Sequence, residues 1–420
     1  MAITHSYTLS SSHTWGILLS LSVLIASCKD PKPTFRNWAS EPSTSFFYHL
    51  PTDSIENLST ESNLAQLEYR EKFKNSSVFT DTTFVINGAE YSVYLHNKFQ
   101  NQIEKVAMLH ANDNCQFSIH ESVIGKYELT IEVVKNKRLQ FRKKFDKYDF
   151  QDVLNKTYLK QNVIAGAKLY CYNQKNNSFV FLVNFSNVPG GTDWYAQVYL
   201  VMDELGNIIH KGLVDYPHHC EGLFSVTEDK RYILTCSEFL DLEERKAVLF
   251  KNEVTFAKFL NDTLYSVIYS LTTDSLLCDT LAYYQNDTLR VSNYLRKPDT
   301  LSANAFIFHV KGDTLVQFQF NGFLNHGEGY AVECELLKKL ALIGYYDYKK
   351  KLLRIYDWEK KLKEMVYSVE QLKKLKKQSN IIENEEYMQF HTFDNSGTIK
   401  LIRFYINSAK RVIGYRLLDT

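Results

Sequence analysis

The fold class that this sequence predicts is mainly antiparallel β, with a few peripheral helices. Three observations predict it. Aromatic residues make up 14% of the chain, with 28 Tyr and 27 Phe against 16 Gly and 7 Pro, a usage that suits half-buried pleated surfaces. Short runs that alternate apolar with polar residues recur between turn residues, as in Phe84 to Leu95. From Lys168 to about Leu324 almost every stretch reads as strand or turn.

The chain opens on an apolar run, Trp15 to Ser27, of the length of a signal h-region and shorter than the roughly 20 residues of a permanent membrane span. Its n-region carries His5 and His13 and no Lys or Arg. The run ends in Ile25-Ala26-Ser27-Cys28, which resembles the lipobox of bacterial lipoproteins. That resemblance implies that residues 1–27 are a signal peptide. It also implies that Cys28 becomes the diacylglyceryl-modified, N-acylated first residue, with chains of the palmitate kind. Several acyl chains on one residue give stable anchoring where a single chain would not. Lys29 after the cysteine does not resemble an inner-membrane retention signal, so the outer membrane is implied, with the leaflet open.

Charge and cysteines bound the rest. The chain has 49 basic and 48 acidic residues, and residues 1–27 contribute to neither count. A balance this even argues against a nucleic-acid binder, which would show a strongly basic face. Beyond Cys28 stand Cys115, Cys171, Cys220, Cys236, Cys278 and Cys334. In an oxidising compartment these permit disulfides, and the spacing selects no pairing; alternatively, several are small buried apolar residues within strands.

Taken in order, residues 28–60 read as a lipidated tether. Pro31, Pro33, Pro42 and Pro51 alternate there with Ser and Thr, a composition that stays extended. Residues 61–165 form an N-terminal α+β portion. A short helix is predicted over Asn63 to Lys74. A hairpin follows at Asn87-Gly88, because Asn-Gly supplies the positive φ angles of a two-residue turn. A second hairpin joins Tyr127–Val134 to Leu139–Phe145, and Tyr148–Gln161 is predicted helical, with Phe150, Val153, Leu154 and Tyr158 on one side.

Residues 166–348 read as a β-rich meander, with Tyr195–Met202 paired to Ile208–Val214 across Asp203–Asn207. An Asp-Thr/Ser-Leu pattern recurs at Asp262, Asp274, Asp279, Asp287, Asp299 and Asp313. These aspartates read as turn formers, since nothing in their spacing makes oxygen ligands converge on calcium. Residues 349–420 read as a basic amphipathic helix over Glu359–Gln378, striped by Leu362, Met365, Val366, Val369 and Leu372, and then closing strands. The helix is expected to pack on the sheet with its lysines in water, the alternative being a cationic helix on anionic lipid.

Tyr199–Asp203, Gly206-Asn207-Ile208 and Phe224–Leu234 resemble the blade text of TolB-like β-propellers, with Lys230 where such blades have glycine. The resemblance, within residues 195–236, implies a propeller-like form; a β-sandwich is the other all-β option.

No G-x-S-x-G, C-x-x-C, Walker loop or G-x-G-x-x-G is present. His120-Glu121 begins like a zinc-protease helix, but Ile124 stands where the second histidine must be. The densest polar cluster is His210 with His218, His219, Cys220 and Glu221, and Cys236 is near in sequence; His with Cys suits zinc or copper. His326 is a second loop candidate. Trp194, Tyr195 and Trp358 are candidates to stack on sugars, and Glu238, Asp241, Glu243 and Glu244 for a carboxylate pair in glycoside hydrolysis. The reading that results is a lipid-anchored envelope protein with a non-catalytic binding role toward a protein, peptide or glycan, and no cofactor. The competing readings are a hydrolase with a site in a propeller-like cleft, and a periplasmic metal binder using His218, His219 and Cys220.

Overall fold

Successive side chains of a strand point to opposite faces, and in several sheets of this protein both faces are apolar. The computed structural model describes residues 46–48, 77–111, 117–186, 196–215, 220, 224–250, 253–270, 272–284, 287–298, 303–325, 330–375, 385–393 and 397–419. The expected leader, Cys28 and the helix at Asn63–Lys74 lie outside these residues. Pro42–Thr420 form one compact unit.

Strand β1 (Phe46–Tyr48) comes first. The first sheet then runs β2 (Val78–Ile86), β3 (Ala89–Ala111), β4 (Phe117–Lys135) and β5 (Arg138–Phe145), each pairing antiparallel with the next. Asn87 (φ 50°) with Gly88 (φ 77°), and Asn136 (φ 50°) with Lys137 (φ 64°), make the two-residue hairpin turns. The predicted helix over Tyr148–Gln161 is two pieces instead, a 3₁₀ turn at Lys147–Phe150 and α1 at Lys156–Gln161. Asn155 causes the break: its side chain accepts a hydrogen bond from Tyr158 N at 2.7 Å and starts a new helix. Phe150, Leu154 and Tyr158 are nevertheless buried together.

The second sheet is β6 (Val163–Asn173), β7 (Ser178–Ser186), β8 (Ala196–Asp203) and β9 (Ile208–Asp215). The third is β10 (Phe224–Val226), β11 (Tyr232–Thr235), β12 (Glu238–Asp241) and β13 (Lys246–Leu249). Lys230, where the blade resemblance has glycine, adopts φ 59°.

The fourth sheet begins with β14 (Val254–Phe259) and β15 (Leu264–Tyr269). A long hairpin leaves it, β16 (Thr272–Tyr284) and β17 (Asp287–Pro298), and β1 adds to β16 in parallel. The chain returns as β18 (Ala305–His309) and β19 (Thr314–Phe318), β18 pairing with β15. This places the Asp-Thr/Ser-Leu pattern in two settings. Asp262 and Asp313 stand at turns as expected, whereas Asp274 and Asp279 lie inside β16 and Asp287 opens β17, where a twelve-residue ladder outweighs local turn preference, and Asp299 lies outside the described residues.

After the small hairpin β20 (Phe323–Asn325) and β21 (Tyr330–Val332), the fifth sheet is β22 (Cys334–Leu337), β23 (Leu342–Asp347), β24 (Leu352–Asp357) and β25 (Lys363–Ser368). The predicted basic helix is corrected here: Leu362 is in a turn, Met365 and Val366 are in β25, and only Val369–Leu375 is helical, as α2. Pairing of Arg354 with Val366 and Ile355 with Met365 satisfies the backbone of β24 and so holds this segment extended. Strands β26 (Glu386–Phe393), β27 (Ile399–Ile406) and β28 (Val412–Asp419) close the chain as expected.

The sheets pack in series through opposite faces. In β7, Phe179, Phe181, Val183 and Phe185 join the core shared with the first sheet, while Val180 and Leu182 join the core shared with the third. Tyr232, Leu234 and Phe239 meet Phe259, Tyr265 and Val267 of the fourth sheet. Ile268 and Ile307 meet Ile343 and Tyr345, and Leu342, Leu353 and Ile355 meet Phe390 and Phe404. A buried aromatic at each junction contributes about 2 kcal/mol of transfer free energy. Each sheet thus serves as the lid of its predecessor.

Candidate binding face on the first sheet

The series starts on a face that no described residue covers. In β3 the residues Tyr91, Val93 and Leu95 point into the core with Leu129, Ile131 and Val133 of β4. Parity sends Tyr94 and His96 to the other side. Register then assembles two transverse rows on that side: Phe79, His96, Thr130 and Lys144 in one, and Asp81, Tyr94, Glu132 and Arg142 in the next. All of these but Asp81 line a shallow groove of about 610 Å³, together with Val134.

Phe79 is 58% exposed, although it is a large apolar side chain on a regular strand. Its ring stacks on Tyr94 (centroids 6.4 Å apart, 23° between planes) and meets His96 edge-on at 5.8 Å. The three rings form a platform in which each fixes its neighbour. Around it the charges are paired: Arg142 Nε donates to Glu132 Oε2 at 2.6 Å, and Lys144 Nζ donates to Glu128 Oε1 at 2.7 Å.

The residues singled out from the sequence fall elsewhere. Cys28, His218, His219, Trp194, Tyr195 and His326 lie outside the described residues. Cys220 is joined to Cys236 in a disulfide, with Cα atoms 6.2 Å apart, so neither offers a thiolate to a metal. Among the described residues no cluster of three or more His, Cys, Asp or Glu is arranged to hold a metal ion. His120 and Glu121 sit in β4, a strand and not a helix. Trp358 packs partly buried against the core between the fourth and fifth sheets.

His210 and Glu238 do come together. Glu238 is buried, and its Oε1 accepts from Tyr199 OH at 2.7 Å and lies 3.1 Å from His210 Nε2. Burial and the neighbouring carboxylate push the Tyr199 hydroxyl well above its ordinary pKa, so it stays a donor. Gly212 leaves the room for this carboxylate. The other acidic candidates face cations: Asp241 and Glu243 pair with Arg231 at 2.7 and 2.8 Å, and Glu243 also pairs with Lys175. Asp241 is further held below the usual carboxylate range, because hydrogen bonds from Arg231 and from the backbone of Glu243 and Glu244 outweigh its burial.

Two carboxylate clusters had no signal in the sequence. Glu204 Oε1 accepts from Tyr91 OH and Tyr172 OH at 2.7 and 2.8 Å and pairs with Lys135, tying the second sheet to the first. Glu333 and Glu335 accept the backbone N–H groups of His391 and Gln389, and so cap the edge of β26. These partners lie far apart in sequence, and no motif links them. No protein-family model matches the chain, and no curated protein matches it either.

Proposed function

We propose that the protein is a lipid-anchored cell-envelope protein with a non-catalytic binding role, and that the outer face of β2 to β5 is its binding face. The lipobox-like Ile25–Cys28 supports anchoring through Cys28 in the outer membrane. The observation that carries the binding role is the exposed Phe79 ring on its Tyr94 and His96 support above the groove. An exposed ring in contact with two further rings along a groove is a contiguous surface of the kind that meets another molecule. The commitment of Asp241 and Glu243 to Arg231, and of Glu238 to Tyr199, weighs against the hydrolase reading.

In architecture we read the serial sheets as propeller-like blades that stay open at the first sheet. Closing the ring would bury Phe79 and His96 between blades. The exposed Tyr387 and Leu417 on the last sheet agree with an open series.

The test has two arms. Expressed in a bacterial host, the wild type should lose residues 1–27, gain acyl mass and partition into detergent, and Cys28→Ala should do none of these. The full-length Cys28→Ala chain should bind isolated envelopes, and Phe79→Ala and Tyr94→Ala, each added to it, should reduce that binding. Binding that both groove variants retain would refute the assignment of this face.

A further inference from the structure

We infer that the groove on the first sheet takes a neutral, hydroxyl-rich glycan, an inference that rests on the binding role proposed above. A sugar ring presents flat C–H faces and, around its rim, hydroxyls that each donate and accept. The groove offers the counterpart of both. Phe79 supplies an apolar ring with no polar atom to satisfy, held in place by its stack on Tyr94 and its edge contact with His96. Beside it stand Arg142 and Glu132, donor and acceptor in one fixed pair, 2.6 Å apart at Nε and Oε2. A guanidinium carries five N–H donors and a carboxylate about four acceptor sites, so the pair can still receive a diol.

Charge decides against the other ligand classes. Arg142 pairs with Glu132, and Lys144 with Glu128, so these four charges are balanced and leave little field with which to select a phosphate, a polyanion or a charged peptide. A peptide added as a strand needs an open sheet edge, and this is a sheet face. The volume of about 610 Å³ lies within the range of ordinary ligand sites.

The experiment uses the full-length Cys28→Ala chain and calorimetric titration. The probes are cellohexaose, laminarihexaose, xylohexaose, mannohexaose and maltohexaose, with a hexagalacturonate, a heparin hexasaccharide and a random-sequence peptide pool as contrasts. The expected result is binding of at least one neutral hexasaccharide, weakened about tenfold or more by Phe79→Ala and severalfold by Arg142→Gln, as loss of a stacking platform and of a donor predicts. That binding should change little with salt, since no charge on the ligand is screened. Phe79 is exposed, so its variant keeps the fold, and an unchanged melting curve checks this. Neutral-glycan binding that Phe79→Ala leaves intact overturns the inference. Binding of only the anionic sugars or the peptides, still sensitive to Phe79→Ala, overturns the glycan and keeps the binding face. Loss of all groove-dependent binding overturns both.

Discussion

Glu238 Oε1 occupies the space that Gly212 leaves open: a Cβ built on residue 212 would stand 1.8 Å from that oxygen and 2.3 Å from Cε1 of Tyr199. The glycine is required by its neighbours and not by its own backbone angles. Both neighbours are buried and joined by a 2.7 Å hydrogen bond, so neither can retreat without exposing a polar group to the core. Gly212→Ala is therefore expected to destabilise the protein by about 3 kcal/mol, the sum of overpacking and a broken buried hydrogen bond. Urea unfolding monitored by circular dichroism reads this, and an unchanged midpoint would show that the cluster repacks freely.

Glu204 gives the stability a pH dependence. Burial alone would raise its pKa, but the hydroxyls of Tyr91 and Tyr172 and the Lys135 ammonium outweigh it and hold the carboxyl below its ordinary value. A carboxyl whose folded pKa is depressed contributes stability that is present above the unfolded value, about 4.3, and is lost as pH falls through the lower folded value. Glu204→Gln should lower the melting temperature by a few degrees at pH 7, with the gap to wild type closing below about pH 4. A gap that stays constant down to pH 3 would assign the loss to packing.

Lys230 holds a left-handed φ of 59° in the turn between β10 and β11. Its carbonyl accepts from Asn173 Nδ2 at 2.6 Å and its N–H donates to Thr227 O at 2.9 Å, and glycine retains both. Lys230→Gly removes the strain and adds some freedom to the unfolded chain, so a net gain of about 0.5 kcal/mol is expected. A shift of the denaturation midpoint to lower denaturant would contradict it.

The disulfide between Cys220 and Cys236 closes a loop at a separation of 16 residues. Converting both to Ala should cost about 3 kcal/mol. Denatured but unreduced protein should take up alkylating reagent at Cys171 and not at this pair, as peptide mass analysis would show. Alkylation of Cys220 without reductant would exclude the bridge.

Local chemistry wrote much of this fold into the sequence. Asn87-Gly88 fixed a hairpin because Asn and Gly readily adopt the positive φ that the turn needs, and Asp203 to Asn207 did the same through Asp203 Oδ1, which accepts from Leu205 N and Asn207 N. Alternation likewise settled which residues share a face of each strand. Where a short-range signal had two solutions, tertiary pairing chose: Met365 and Val366 match a helical stripe, yet the edge of β24 held them extended.

What only the tertiary structure decided is which faces are covered and which distant groups meet. Parity placed Phe79, Tyr94 and His96 on one side, but their exposure follows from the second sheet packing on the opposite side. His210 meets Glu238 across 28 residues, and Glu204 meets Tyr91 across 113, because neighbouring sheets press together. Turn and strand preferences act within a few residues along the chain. Burial and long-range pairing are set by which sheet stacks on which, and that is decided only when the whole series packs.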